Sequence, residues 1–539
     1  MVNLVIRHDA RDDPLLERLL RAPWGEAAGV CVTPAPLLDA EPQHADLVLV
    51  VASGPATDAA VEAVARQAAV APTLLLGSSL AADLGLAELS GVQPGPVTPS
   101  HEVRVRPEQG VDPRGVEPLL LRGSLLLPDK VAPDVTVLAT ANVAYTDHPV
   151  VTFRPGTGVG TVLVDVEAWS NRQLLRFVRH LAVALGSEPE PPDVRVGMLG
   201  YGAIGHEHAL AVTAVPGLAL TAVSDLAPSR VELARTVCAD VRGHLRAEGL
   251  LADDTVDLVV VSTPPDTHAD WAHRALDAGK HVVLEKPMAL TAAECDEVLA
   301  HAERVDRLVV VYQNRRFDPD YLVLRRLVRE GAIGELFHVE AFVGGYGHPC
   351  NYWHSDAAVS GGAIFDWGSH AIDQLLDLMP GDIAHVTAAN HKRQWHDVTN
   401  ADHSRVTLHL TDGREAEFVY SDLAAAPKPK WWAVGTRGAV RGDWRVERVI
   451  ARTAIGTLDE DVLAPADSPA AMSLFAPDGS VTALAVPPAP PFAFHRELAD
   501  HLLRGLPMSV EASQSRRVVA VMEAAEESAR SGSVPVVPA

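Results

Sequence analysis

The segment VRVGMLGYGAIGHEHA, residues 194–209, limits the folds open to this chain more than any other. An apolar run leads into Gly200, Gly202 and Gly205 in the pattern G-x-G-x-x-G, with Ala203 and Ile204 inside the turn, and an Ala-rich helical stretch follows. A second apolar run, LALTAVSD, ends in Asp225, twenty residues beyond Gly205. Strand, glycine turn, helix, strand and acid at these intervals open a doubly wound parallel sheet that binds a dinucleotide. The glycines admit a pyrophosphate to the backbone, the helix N-terminus meets its charge, and the carboxylate takes the ribose hydroxyls. GTGVGT at 156–161 has the glycines without that context; it runs into TVLVDVE and reads as a hairpin turn. A carboxylate at 225 repels a 2′-phosphate, so NAD is the expected cofactor. NADP stays possible through Arg230, although a helical Arg230 more readily faces solvent.

Such a motif ordinarily begins its protein, yet almost two hundred residues precede it here. At 539 residues the chain exceeds what one hydrophobic core supports, so several domains are expected. Residues 1–186 alternate apolar runs (NLVIR, ADLVLVV, PTLLLG) with helix-like DAAVEAVARQAA, the rhythm of an α/β layer with parallel strands. GSEPEPPD supplies a linker, 187–193. Residues 194–318 repeat strand and helix more cleanly, as a Rossmann domain. Residues 319–539 form an α+β domain, with turn-punctuated runs such as SRVTLHLTDG and REAEFVYSD that read as a large, mostly antiparallel open sheet. Helical segments close the chain.

Composition excludes several classes of function. A net charge of −25 without a basic run argues against nucleic acid. No apolar run reaches the length of a membrane helix, and the N-terminus lacks a signal-peptide pattern. Cys31, Cys238, Cys295 and Cys350 are too scattered for disulfides or zinc, so a cytoplasmic protein is expected. Cys31 reads as a small buried core residue.

Two further stretches carry chemistry. HVVLEKPMAL ends a strand with Glu285, Lys286 and Pro287, where the carboxyl ends of parallel strands gather ligands. An exposed terminal charge explains Lys286 equally well on spacing alone. In GGAIFDWGSHAID, Asp366 and His370 are four apart and share one face of a helix, with Asp373 a turn further. A buried, hydrogen-bonded histidine, a metal site and an acid/base pair all fit that spacing.

Taken in order, the glycine motif, STPPDTHADWAHRALDAGKHVVLEKPMAL, YQNRRFDPDY and GGAIFDWGSHAIDQL resemble the Gfo/Idh/MocA oxidoreductases, the family of glucose–fructose oxidoreductase and inositol dehydrogenase. The resemblance runs from about 194 to the C-terminus. It implies Lys286, Asp366 and His370 as the catalytic ammonium, carboxylate and imidazole, a Lys286–Pro287 bond that is often cis, and no metal. It extends cofactor binding to Thr263, Pro264, His268, Glu285 and Lys286, and substrate binding to Asn314, Arg315 and Trp353 beside Asp366 and His370. It also implies a homo-oligomer. The stretch from PSHEVRVRP to VRHLAVALG resembles the ThuA-like trehalose-utilisation domains, relatives of class I glutamine amidotransferases with a flavodoxin-like α/β fold. Where those relatives place a nucleophilic Cys, this chain has Ser78 and Ser79, so a non-catalytic binding module is expected.

The function implied is NAD(P)-dependent hydride transfer at a secondary alcohol of a sugar, inositol or related polyol. A redox-assisted glycosidase or eliminase of the same family shares every motif. A nucleotide-sensing regulator has no need of the Lys286, Asp366 and His370 trio.

Overall fold

The computed structural model describes residues 2–8, 19, 30–38, 41–51, 57–76, 84–108, 119–143, 146–168, 177–178, 181–186, 192–350, 352–453, 456–463, 468–488 and 491–539. They form two compact units. One comprises Met1–Val194 with Arg496–Met508; the other comprises Arg195–His495 with Ser509–Ala539. The sequence reading runs 319–539 as one stretch, whereas 496–508 groups with the front of the chain, and Leu506 is buried in that unit's core. Most of the 187–193 linker, like Ser78 and Ser79, lies outside the described residues.

The first unit is built on a ten-stranded sheet. Val159–Val162, Thr73–Leu76, Leu47–Val51, Val2–His8 and Val30–Pro36 are parallel neighbours in that order. Every residue of Leu47–Val51 is buried, the mark of a parallel strand covered on both faces. The other half of the sheet corrects the expectation of parallel strands. Thr146–Arg154, Thr136–Val143, His101–Pro107, Leu119–Leu125 and Val164–Ala168 pair antiparallel. Two residues join Thr136–Val143 to Thr146–Arg154, far too few for the crossover a parallel pair requires. GTGVGT does form a hairpin turn. Gly158 has φ 73°, and a Cβ there would lie 2.4 Å from the Ala68 carbonyl oxygen. Cys31, expected in the core, is exposed on the edge strand Val30–Pro36.

In the second unit, two large sheets share one continuous core that runs from Leu199 to Ala525, and Val446–Thr453 pairs with Gly456–Leu463 in a separate two-stranded sheet. The Rossmann sheet has six strands, in the order Arg242–His244, Leu218–Ser224, Val194–Leu199, Leu258–Val261, His281–Leu284, Val309–Val311. The order reverses beside Val194–Leu199, so the crevice for a ligand opens at the glycine turn. The second sheet has eight strands; only Leu336–Gly344 and Glu415–Ser421 run parallel, and its other described pairings are antiparallel. Helices Ala363–Leu378 and Ala512–Arg530 bury their apolar faces with Val386, Val406 and Phe418 from that sheet. No helix among the described residues is long and apolar enough to cross a membrane.

Candidate active site

A cleft of about 1740 Å³ opens over the carboxyl ends of the Rossmann strands, walled by residues from Leu199 to His370. Each glycine of the motif has its own reason. Gly200 has φ 89°, and a Cβ would meet the Ser262 carbonyl oxygen at 2.6 Å. Gly202 has nothing within 4 Å, which leaves the backbone open to a phosphate at the start of the helix Ala203–Ala214. Gly205 does not line the cleft; a Cβ there would lie 2.5 Å from the Gly200 carbonyl oxygen, so only a glycine lets the helix start this close to the turn. Ala203 and Ile204 face the cleft.

Asp225 is buried at the end of Leu218–Ser224, and its two oxygens accept the backbone N–H groups of Tyr201 and Ala227, each at 2.8 Å. The carboxylate is thereby locked in the cleft wall. Arg230 is exposed, as a helical position suggests, yet its Nη1 lies 3.4 Å from Asp225 Oδ2 and it lines the cleft. These features fit a dinucleotide, with the open turn for its pyrophosphate and the fixed carboxylate for its ribose.

Thr263, Pro264, Glu285 and Lys286 also line the cleft. His268 does not, which corrects its expected contact with a cofactor. It is wholly buried, and its ring nitrogens face the carbonyl oxygens of Pro287 at 2.8 Å and Thr263 at 2.9 Å. Set between these two carbonyls, the neutral ring donates its one N–H to either of them and packs the two strand-end loops together.

The substrate end draws on distant segments. The Lys286–Pro287 bond is cis, and Lys286 Nζ donates to Asp366 Oδ1 at 2.8 Å. Asp366 and His370 do sit one turn apart, on Ala363–Leu378. The turn into that helix needs Gly361 and Gly362, at φ 82° and 99°. Burial alone would raise the Asp366 carboxyl, but the Lys286 ammonium outweighs it and the group stays below its ordinary range. Burial, reinforced by Lys286 and Arg315, holds His370 well below the usual imidazole value. A neutral imidazole at pH 7 therefore stands beside an ammonium–carboxylate pair. His370 Nδ1 has no partner among the described residues.

Asn314, Arg315 and Trp353 complete the wall. Asn314 Oδ1 and Arg315 Nε are buried without partners among the described residues, as is Nδ1 of His354. Arg315 lies over the Trp367 ring at 4.8 Å and donates to Asp318 Oδ2 at 3.2 Å. Asp373 is not part of the site; it is buried in an ion pair with Arg316. His354, stacked on Trp353 at 3.5 Å, has no sequence signal, because YWHSD matches no spacing rule. Among the described residues, no group of three or more His, Cys, Asp or Glu side chains is disposed to hold a metal ion.

Comparison with known proteins places this architecture. Residues 194–313 match the model "Oxidoreductase family, NAD-binding Rossmann fold", and 321–441 match "GFO/IDH/MocA C-terminal domain". The chain is 30% identical to the uncharacterized oxidoreductase YdgJ of Escherichia coli, over 46% of this chain and 70% of YdgJ. It is 26% identical to the scyllo-inositol 2-dehydrogenase (NADP(+)) IolW of Bacillus subtilis, over 62% of this chain and 94% of IolW. An NAD-binding protein from Listeria innocua, of known structure, superposes with a TM-score of 0.55 at 26% identity, over 64% of this chain and 97% of that one.

Proposed function

Because this chain belongs to the Gfo/Idh/MocA oxidoreductase family, we propose that it oxidises a secondary alcohol of a sugar, inositol or related polyol with NAD. The observation that carries the reading is the contact of Lys286 with Asp366 at 2.8 Å, one helical turn from a neutral His370, in the cleft opened by Gly200 and Gly202. The relatives that include an inositol dehydrogenase support the substrate class.

A bound nicotinamide supplies the hydride acceptor. His370, unprotonated at neutral pH, takes the proton of the substrate hydroxyl. The Lys286 ammonium stabilises negative charge as it develops on that oxygen. Asp366 anchors the ammonium rather than the imidazole, so its contribution is to aim Lys286. Trp353 offers an apolar face to a sugar ring, and Asn314 and Arg315 offer hydrogen bonds to its remaining hydroxyls. For residues 1–186 we keep a non-catalytic binding role, on their likeness to ThuA-like domains.

The test is a panel of sugars and inositols with NAD or NADP, followed by absorbance of the reduced cofactor. Substrate-dependent reduction supports the proposal, and its absence across the panel removes it. A redox-assisted glycosidase would cleave glycosides without net reduction. The pH profile adds a second check. A general base works only when unprotonated, and His370 is held low, so kcat/KM is expected to stay level through pH 6.5, the ordinary imidazole value, and to fall only below it. An acid limb centred above 6.5 would remove His370 as the base.

Cofactor choice rests on Asp225. With both oxygens held by backbone N–H groups it cannot swing away from a 2′-phosphate. Asp225→Ala is therefore expected to weaken NAD binding and strengthen NADP binding, since Arg230 loses its anionic partner. Titration of cofactor-quenched tryptophan fluorescence measures both, with Trp271, Trp353 and Trp367 in the cleft.

A further inference from the structure

Behind Lys286, three buried side chains form a chain that the mechanism above does not use. Glu285, beside it in sequence, lines the cleft and is 6% exposed. One of its oxygens accepts the Lys286 backbone N–H at 3.1 Å; the other lies 2.8 Å from Nε2 of His208. His208, on the helix that the glycine turn starts, is 1% exposed, and its Nδ1 lies 2.8 Å from Nε2 of His495. His495 is 2% exposed, and its own Nδ1 has no partner among the described residues. Tyr312 and Phe494 close the box, with the Tyr312 ring 4.3 Å from His208 and 4.9 Å from Phe494.

Chemistry fixes the direction of these bonds. A carboxylate only accepts, so His208 donates from Nε2 to Glu285. In a neutral ring Nδ1 is then an acceptor, so His495 donates to it from Nε2. Nothing is left over except one bare acceptor nitrogen on His495, a cheaper orphan than a buried N–H. Burial holds His495 well below the usual imidazole range, in keeping with a neutral His495 ring.

The geometry points to His208 and His495 as positioning residues that act through Glu285 to fix the Lys286 backbone and so the reach of its ammonium. This rests on the proposed function for the part Lys286 plays in turnover. The relay's effect on Lys286 itself does not depend on that reading. The polar chain is a costly way to fill a core, and an apolar pair would pack there without orienting anything. Its far end, Glu285, is where an orientation has a use.

The test is His208→Leu, with His208→Gln as the conservative partner whose amide N–H replaces the Nε2 donor. His208→Leu is expected to lower kcat roughly 10–100-fold, the scale of an ångström of misplacement at a reacting group, with substrate KM nearly unchanged. His208→Gln is expected to recover most of that loss. His495→Phe, which keeps the aromatic box and removes only the far hydrogen bond, is expected to fall between them. A second readout needs no substrate. Acylation of Lys286 by acetic anhydride, measured by peptide mass spectrometry against exposed Lys130, should speed up in His208→Leu and revert in His208→Gln.

An unchanged Lys286 rate and kcat in His208→Leu would overturn the relay, as would equal impairment in His208→Gln. A parental result for His495→Phe would strike His495 from it. If the parent oxidises no polyol but Lys286 loses protection in the leucine variant alone, the relay stands and the proposed substrate class falls.

Discussion

His370→Ala is expected to lower kcat about 10²–10⁴-fold, the range a positioned general base contributes, and to leave the fold intact. Although buried, His370 lines the cleft, so its removal enlarges that cleft instead of opening a separate void in the core. Among the described residues, no group bonds its Nδ1. Lys286→Ala is a less clean control, because it strands the Asp366 carboxylate without its ammonium. Initial rates with the best polyol from the panel, set beside a thermal melt by circular dichroism, decide the matter. A variant with parental kcat would take the acid/base role from His370, whatever the melt shows.

The largest effect on stability is expected at Arg316→Met. Arg316 and Asp373 form a two-point ion pair in which the side chains are 3% and 1% exposed. Asp377, 3.6 Å from Arg316, adds a second carboxylate. Burial pushes the Asp373 carboxyl up to about 6 even with the guanidinium in place. Removing Arg316 leaves that carboxylate uncompensated, and broken buried pairs typically cost about 3–5 kcal/mol. Some of the cost is relieved because Asp373 can take up a proton. Arg316→Met with Asp373→Leu should regain much of the loss, since the two apolar groups leave no buried charge. Urea unfolding of the parent, single and double variants measures this. A single variant within 1 kcal/mol of the parent would show that the pair contributes little.

What the sequence reveals follows the range over which its chemistry is specified. Gly200, Gly202 and Gly205 are legible because the turn, the open face and the tight helix contact are all local, and Asp225 stands at a set distance along one strand–helix–strand unit. Asp366 and His370 are legible as helical neighbours for the same reason. Spacing says nothing of pairs such as Lys286 with Asp366, 80 residues apart, and only family resemblance brings them together. His208 with Glu285, 77 apart, has neither aid and appears only in three dimensions. His268 misleads because the resemblance assigns it to the cofactor, while its ring is wholly buried between two backbone carbonyls. Cys31 misleads in the other direction: its neighbours Val30 and Val32 suggest a core strand, but that strand is an edge. The antiparallel half of the first sheet escapes a reading based on alternating apolar runs, because direction is set by connection length.

The grouping of 496–508 with the front of the chain bears on how this protein can be divided. The polypeptide passes between its units three times, at 194/195, 495/496 and 508/509, so no single scission separates them. A fragment ending near 194 lacks the piece that brings Leu506 into its interior, and the complementary fragment carries that leucine with nowhere to bury it. Gene truncation at the apparent linker should therefore yield two sticky halves, whereas excising 496–508 and grafting it onto the front fragment should restore a soluble one.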